Sequence, residues 1–264
     1  MICVFDCETI PDTDLIKRTF DLDLEGEALS EEAMRLHEER SGTTFLPLPY
    51  HQVVTISAVI ADAYGVFERV STINGESEEE MLRAFLQFID RKNPKLVSFN
   101  GRSFDMPMLM IRAMKYNLSC PAYFEKENQM LNKSKWDNYR YRYSDRFHVD
   151  LMEHIGEFGA ARGLKLDTLC AMMGLPGKYD VSGDQVTHLY YRGEMEKIHA
   201  YCESDVLNTY WLYLKYELLK GHLLLEDYLH NLDIMRQRLD PKRSYTAVFT
   251  DYIDKETAKY DRDH

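Results

Sequence analysis

The chain opens on a run with almost no polar interruption. Residues 2–5 are apolar on both sides, as a strand covered on both faces would be. Residues 52–61 and 66–73 read as two more strands, joined into a hairpin by Asp62, Ala63, Tyr64 and Gly65. Ser77 and Glu80 then form a capping-box pattern, and Met81, Leu82, Phe85, Phe88 and Ile89 recur at helical spacing. Residues 95–99 predict a fourth strand, broken by Asn100-Gly101. A helix follows over about 104–117, with Pro107 in its first turn. Residues 147–151 predict the fifth strand. Beyond it come a helical segment around 164–173, a loop rich in Gly and Asp over 177–183, and a long helix from about 194 to 220 with Gly221 as its stop. A further helix covers about 222–239, and 241–264 reads as a polar, partly ordered tail. Residues 13–50 differ from the rest. They are acidic, carry a short helix with Ser30 as N-cap, end in Leu-Pro-Leu-Pro, and read as an insertion at the sheet edge. There are no internal repeats. The order predicts an α/β fold, a mixed five-stranded sheet with helices on both faces. The turns after the first and fourth strands then fall at the carboxyl ends of the strands, where such folds place their sites.

Composition supports this frame and bounds the chemistry. Hydrophobic residues make up 45% of the 264, enough for a buried core and against wholesale disorder. No apolar run is long enough to span a bilayer, and the start, Met-Ile-Cys-Val-Phe-Asp, lacks the basic region of a signal peptide. Cys3, Cys7, Cys120, Cys170 and Cys202 are odd in number and form no Cys-x-x-Cys pair, so a reduced, cytoplasmic setting is expected. The net charge of −12 weighs against tight non-specific nucleic-acid binding. It leaves room for a nuclease, because a site that gathers carboxylates for divalent cations starts negative.

Acidic residues then stand out by position. Asp6 and Glu8 end the first strand two apart, so both point to one face. Two carboxylates there resist burial unless a cation sits between them, and hard oxygen donors suit Mg²⁺ or Mn²⁺. Asp105 follows a strand end and a glycine turn and falls in a first helical turn. Tyr201 and Asp205 are four apart on the long helix and share a face. Asp150 is a further acid among apolar strand residues. Taken singly, each has an ordinary explanation: a helix cap for Asp105, a core position for Tyr201, a basic partner for Asp6 and Glu8.

Together, Phe5-Asp6-Cys7-Glu8-Thr9, Phe99-Asn100-Gly101-Arg102-Ser103-Phe104-Asp105-Met106-Pro107 and Tyr201-Cys202-Glu203-Ser204-Asp205 resemble the three motifs of tyrosine-type (DEDDy) 3′→5′ exonucleases. These belong to the DnaQ-like, ribonuclease H-like superfamily, and the chain is most similar to bacterial predicted exonucleases akin to the proofreading domain of family-B DNA polymerases. The resemblance spans 1–220, read as the exonuclease domain with 13–50 inserted, and leaves 221–264 as a helical extension. It implies a ribonuclease H-like sheet and two Mg²⁺ or Mn²⁺ ions. Asp6, Glu8 and Asp205 would hold one ion, Asp6 would bridge to the second, and Asp105 would lie close to that one. It also implies that Tyr201 positions the attacking water and that Thr9, Asn100 and Phe104 meet the terminal nucleotide. The histidine-type sister class carries its histidine where Ala200 stands, and His199 is one residue out of place. The role of Asp150 stays open, and His148 and His199 read as structural or exposed.

Residues 133–146 hold five basic residues against two acids. In an extended strand Tyr139, Tyr141 and Tyr143 would share one face and Arg140 and Arg142 the other. With Trp136, that segment is a candidate grip on a single strand through Trp136, Tyr139, Arg140, Tyr141 and Arg142, or an edge hairpin with solvated arginines. The expected substrate is a single-stranded DNA 3′ end, released as nucleoside monophosphates. The rivals are an RNA exonuclease like ribonuclease D and a non-catalytic nucleic-acid-binding module. No segment is long enough for a polymerase, so a proofreading or repair role would call for a separate partner.

Overall fold

The computed structural model describes residues 1–178 and 183–260. Five strands, β1 (Ile2–Pro11), β2 (His51–Ala61), β3 (Phe67–Thr72), β4 (Lys95–Ser98) and β5 (His148–Asp150), form one sheet in the order β3-β2-β1-β4-β5. β1 pairs antiparallel with β2 and parallel with β4, and β5 runs parallel to β4. The strand expected from its apolar start is thus the central one.

The helices in chain order are α1 (Thr13–Thr19), α2 (Gly26–Ser41), α3 (Glu78–Lys92), α4 (Asp105–Lys115), α5 (Pro121–Phe124) and α6 (Leu151–Ile155). They continue with α7 (Leu166–Met173), α8 (Val186–Tyr191), α9 (Met195–Leu219), α10 (Leu225–Arg238) and α11 (Thr246–Thr257). Alternation along β1 divides the core. Ile2 and Val4 pack with α7, α9, α10 and α11, while Cys3, Phe5 and Cys7 pack with α3, α4 and α5. α9 has no polar face through its middle, because the sheet lies on one side and α10 and α11 on the other. Every residue from Tyr201 to Leu214 is buried. Buried polar groups there are paired: the Trp211 indole donates to the Tyr228 hydroxyl (2.8 Å), which donates to Glu256 (2.8 Å).

The β1–β2 ladder slips between Glu8 and Thr9, where Glu8 faces Thr55 but Thr9 faces Val53. The extra residue is Val54, a β-bulge that increases the local twist and re-aims the end of β1. The Val53 amide donates instead to Glu78 Oε1 at the start of α3 (2.8 Å).

Two expectations change. Ser30 is not an N-cap. It lies inside α2, whose cap is Glu25, and its hydroxyl turns back to the Gly26 carbonyl. Residues 13–50 do not lie at the sheet edge, since they join the adjacent strands β1 and β2 and pack near α4 and α8. The tail, read as the partly ordered end of a helical extension, contains α11, whose Phe249 and Ile253 complete the core over Trp211. A tertiary docking face of so few apolar residues leaves little periodic signal. Of the expected loop at 177–183, residues 179–182 lie outside the described residues, as do 261–264 of the tail. Among the described residues, no helix is long and apolar enough to cross a membrane. All five cysteines are free and buried.

Candidate metal centre

Strand alternation carries Asp6 and Glu8 to the α9 face of β1, half-buried, where the buried side chains of Tyr201, Cys202 and Asp205 come up from the helix. Ligand atoms of Asp6, Glu8 and Cys202 all lie within 4.8 Å of one another. The Cys202 thiol is turned toward the Asp6 backbone carbonyl (3.5 Å). Asp105 arrives from the opposite side, in the first turn of α4. Its Oδ1 accepts a hydrogen bond from the Cys7 thiol at 2.8 Å, so the residue between the two strand acids fastens the third acid.

Electrostatics report the crowding. Burial raises the Asp6 carboxyl well above its ordinary value, and the charges of Asp105, Glu8 and Asp205 raise it further. Burial and the charges of Asp205 and Asp105 do the same to Glu8, against the pull of Lys178. Asp105 is pushed up to about 6, chiefly by burial. Asp205 is also raised to about 6 by burial, although Lys178 and a hydrogen bond from Tyr201 oppose the shift. Carboxylates opposed by Lys178 are oxygen donors of the kind that fit a hard divalent cation, which would relieve the repulsion. Among the described residues, Asp6 and Glu8 with Cys202 form the set within 4.8 Å, and Asp105 and Asp205 lie outside that set.

Burial pushes the Tyr201 phenol far up as well, so it stays protonated at neutral pH. Lys178 Nζ sits 5.5 Å from the centre of its ring. Tyr201 can donate to Asp205 and orient a water, and it is a poor base.

The turn after β4 is held by Asp150, whose role the sequence left open. Its oxygens accept from the amides of Asn100 (2.9 Å) and Arg102 (2.8 Å), and Oδ1 also caps α6. Asn100 adopts φ 69°, and Gly101 comes so close to Ser98 that a Cβ would sit 2.6 Å from its side chain. Glycine is required there. His148 is buried in β5 and bonded to Ser98 (2.8 Å).

Two residues that the sequence did not point to, His51 and Phe45, join Thr9 and Phe104. His51 Nε2–H donates to the Leu46 carbonyl (2.8 Å), so its Nδ1 must accept from the Thr9 hydroxyl (2.8 Å). Burial lowers the pKa of His51, in keeping with this neutral tautomer. Phe104 packs edge-on to His51 (5.1 Å between centroids) and against Phe45 (5.2 Å), which is 57% exposed. His37, Phe45, Leu48, Asn100, Ser103 and Phe104 line a cavity of about 500 Å³ beside the β4–α4 turn. The only signal for Phe45 was its place before the stiff Leu-Pro-Leu-Pro run.

Residues 133–146 depart from expectation. They form successive turns, not an extended strand, because Asn138 accepts from the amides of Arg140 and Tyr141 and curls the chain on itself. Tyr139 is fully buried, with its hydroxyl on the Pro94 carbonyl (2.6 Å), so it has no face to offer a ligand. Trp136 and Arg140 are exposed, Tyr141 is half-buried, and Arg142 pairs with Glu153 (3.0 Å). None of them is among the residues gathered at the carboxylates.

A family model described as a predicted 3′–5′ exonuclease related to the exonuclease domain of PolB matches residues 43–255. The match includes Asp105, Tyr201 and Asp205 and begins after Asp6 and Glu8. A DNA polymerase of Archaeoglobus fulgidus is 25% identical over 135 residues, and one of Pyrococcus glycovorans is 28% identical over 144. These alignments cover 50% and 52% of this chain but only 17% and 18% of the relatives, so the chain spans less than a fifth of the curated proteins it matches. Among solved structures, the family B DNA polymerase of Pyrobaculum calidifontis shares the fold over 83% of this chain and 24% of its own, with a TM-score of 0.50 and 18% identity.

Proposed function

The chain belongs to the family of predicted 3′–5′ exonucleases related to the exonuclease domain of PolB, and from that premise we propose that it removes nucleotides one at a time from the 3′ end of single-stranded DNA. Asp6, Glu8, Asp105 and Asp205 hold two Mg²⁺ or Mn²⁺ ions in this reading. What supports it is the pair Asp6 and Glu8 grouped on β1, with Asp105 of α4 and Asp205 of α9 near enough for their charges to raise both. A structural role would not call for such repulsion. When bound, a pair of divalent cations supplies the positive charge that offsets the negative charge developing during in-line displacement at phosphorus.

The chain's own residues do the positioning. Tyr201 keeps its proton, donates a hydrogen bond to Asp205 and leaves its oxygen to orient the attacking water. The Thr9 hydroxyl has its proton committed to His51, so toward a ligand it acts as an acceptor, for example from a terminal 3′-hydroxyl. Phe45 and Phe104 offer apolar faces to an unstacked terminal base. DNA is favoured over RNA by the likeness to DNA polymerases.

The test is direct. With Mn²⁺, the purified protein should shorten a 5′-labelled DNA strand in single-nucleotide steps, and an RNA strand of the same sequence more slowly. Faster shortening of RNA would reassign the substrate, and both strands left whole would overturn the enzyme. Tyr201→Phe should lower kcat by roughly ten- to a hundredfold while Mn²⁺ affinity, read by calorimetry, stays unchanged. A wild-type rate would remove the hydroxyl from the reaction. Phe45→Ala should raise KM by roughly five- to tenfold, the loss of one stacked base. An unchanged KM would place the terminal base elsewhere.

A further inference from the structure

The rings of Trp136, Tyr141, Tyr143 and Phe158 form an unbroken series on the β5 side of the molecule, with successive centroids 5.6, 5.8 and 4.7 Å apart. Each ring meets the next edge to face, and Trp136 and Tyr143 are 62% and 58% exposed. A soluble surface gains nothing from wetting large rings in sequence, which marks such a patch for a ligand. The end of the series is also strained. Glu157 and Phe158 take φ values of 47° and 55°, a conformation bulky side chains rarely adopt, and it brings the Phe158 ring onto Tyr143.

The charges beside the rings differ from those of the chain as a whole. Lys135 lies over the Trp136 ring and Arg140 over that of Phe124, and neither has a carboxylate partner among the described residues. In a chain of net charge −12, two exposed cations free of acids beside stacked rings favour a polyanion with flat faces. The series is also tied to the turn that precedes Asp105. Arg142 pairs with Glu153 (3.0 Å), Glu153 faces Arg102 (3.5 Å), and the Arg102 amide is held with that of Asn100 on Asp150.

We propose that this aromatic run with Lys135 and Arg140 is a second binding surface, which takes the part of a single-stranded nucleic acid that lies upstream of its 3′ end. The direction of the strand rests on the exonuclease reading, but binding itself does not. The two tryptophans make the test simple, since Trp211 is fully buried and Trp136 is exposed. In EDTA, an oligo-dT of about twenty nucleotides should quench Trp136 fluorescence saturably, and added salt should weaken the effect. The double variant Lys135→Glu, Arg140→Glu should raise Kd at least about fivefold. Tyr143→Ala should do the same, and anisotropy of a labelled strand gives a second reading. Absence of quenching, or an unchanged Kd in both variants, would overturn the proposal. So would a poly-glutamate peptide that quenches as well as the oligonucleotide, which would point to an acidic protein partner. Hydrolysis without quenching overturns this surface alone, and quenching without hydrolysis overturns the exonuclease reading alone.

Discussion

Asp6→Asn is expected to abolish hydrolysis, with turnover falling at least ~10³-fold, and yet to stabilise the protein when no metal is present. Both effects come from the same carboxylate. Burial raises the Asp6 pKa, and the charges of Asp105, Glu8 and Asp205 raise it further. An amide of the same shape keeps the packing and removes one charge from the cluster, and with it a donor that metal-assisted hydrolysis requires. The sign of the pH dependence follows. A carboxyl whose folded pKa lies above the unfolded value favours the fold at low pH, and that contribution is lost as the pH rises through the folded value. For Asp205, raised from 3.8 to about 6, the loss by pH 7 is about 3 kcal/mol. In EDTA the wild-type protein should therefore lose stability between about pH 4 and 7 from this cluster, and Asp6→Asn should lose less. Mn²⁺ should raise the Tm of the wild type at pH 7 and leave that of the variant nearly unchanged. Thermal melts at two pH values with and without Mn²⁺ measure all of this. A metal-free variant that melts below the wild type at pH 7 would contradict the crowding on which the site depends.

Arg112→Met should be the most destabilising single change outside the apolar core. Arg112 is 3% exposed, and its guanidinium holds Glu78 through Nε (2.7 Å) and a second nitrogen (2.5 Å) while reaching Asp12 (2.6 Å). Glu78 in turn receives the Val53 amide freed by the bulge, and Asp12 caps α1 through the Leu15 amide (3.0 Å). The arginine thus ties α3 and α4 to the two strands where β1 turns away from the carboxylates. Methionine fills similar space but leaves two buried acids without their main partner, at a cost of about 3–5 kcal/mol. A fall in Tm of roughly 10 °C or more follows. The pairing also lowers the Asp12 pKa. Its contribution is present above the unfolded value and is lost as the pH falls through the lower folded value, so the variant should lose less of its remaining stability in acid. Arg112→Lys keeps the charge without the fork and should fall between the two. A melt of Arg112→Met within a degree or so of the wild type would show that the acids find other partners.

Most of the architecture was legible because its information is local. A period of two puts Asp6 and Glu8 on one face of β1, and a period near 3.6 puts Tyr201 and Asp205 on one face of α9. The five strands and helices α3, α4, α7, α9 and α10 follow from the same periods with their caps and turns. What the sequence left out has another origin. Cys7 is 98 positions from Asp105, Glu78 is 34 from Arg112, and Thr9 is 42 from His51, and no spacing rule links such pairs. Phe45 beside Phe104, Asp150 beneath the β4–α4 turn and Tyr139 turned into the core are outcomes of how layers dock. The identity of the acids and the faces they point from were therefore written along the chain. Their meeting, the thiol that fastens Asp105 and the wall beside them arose only when distant segments packed, because side-chain contacts depend on the whole fold while backbone periodicity depends on near neighbours.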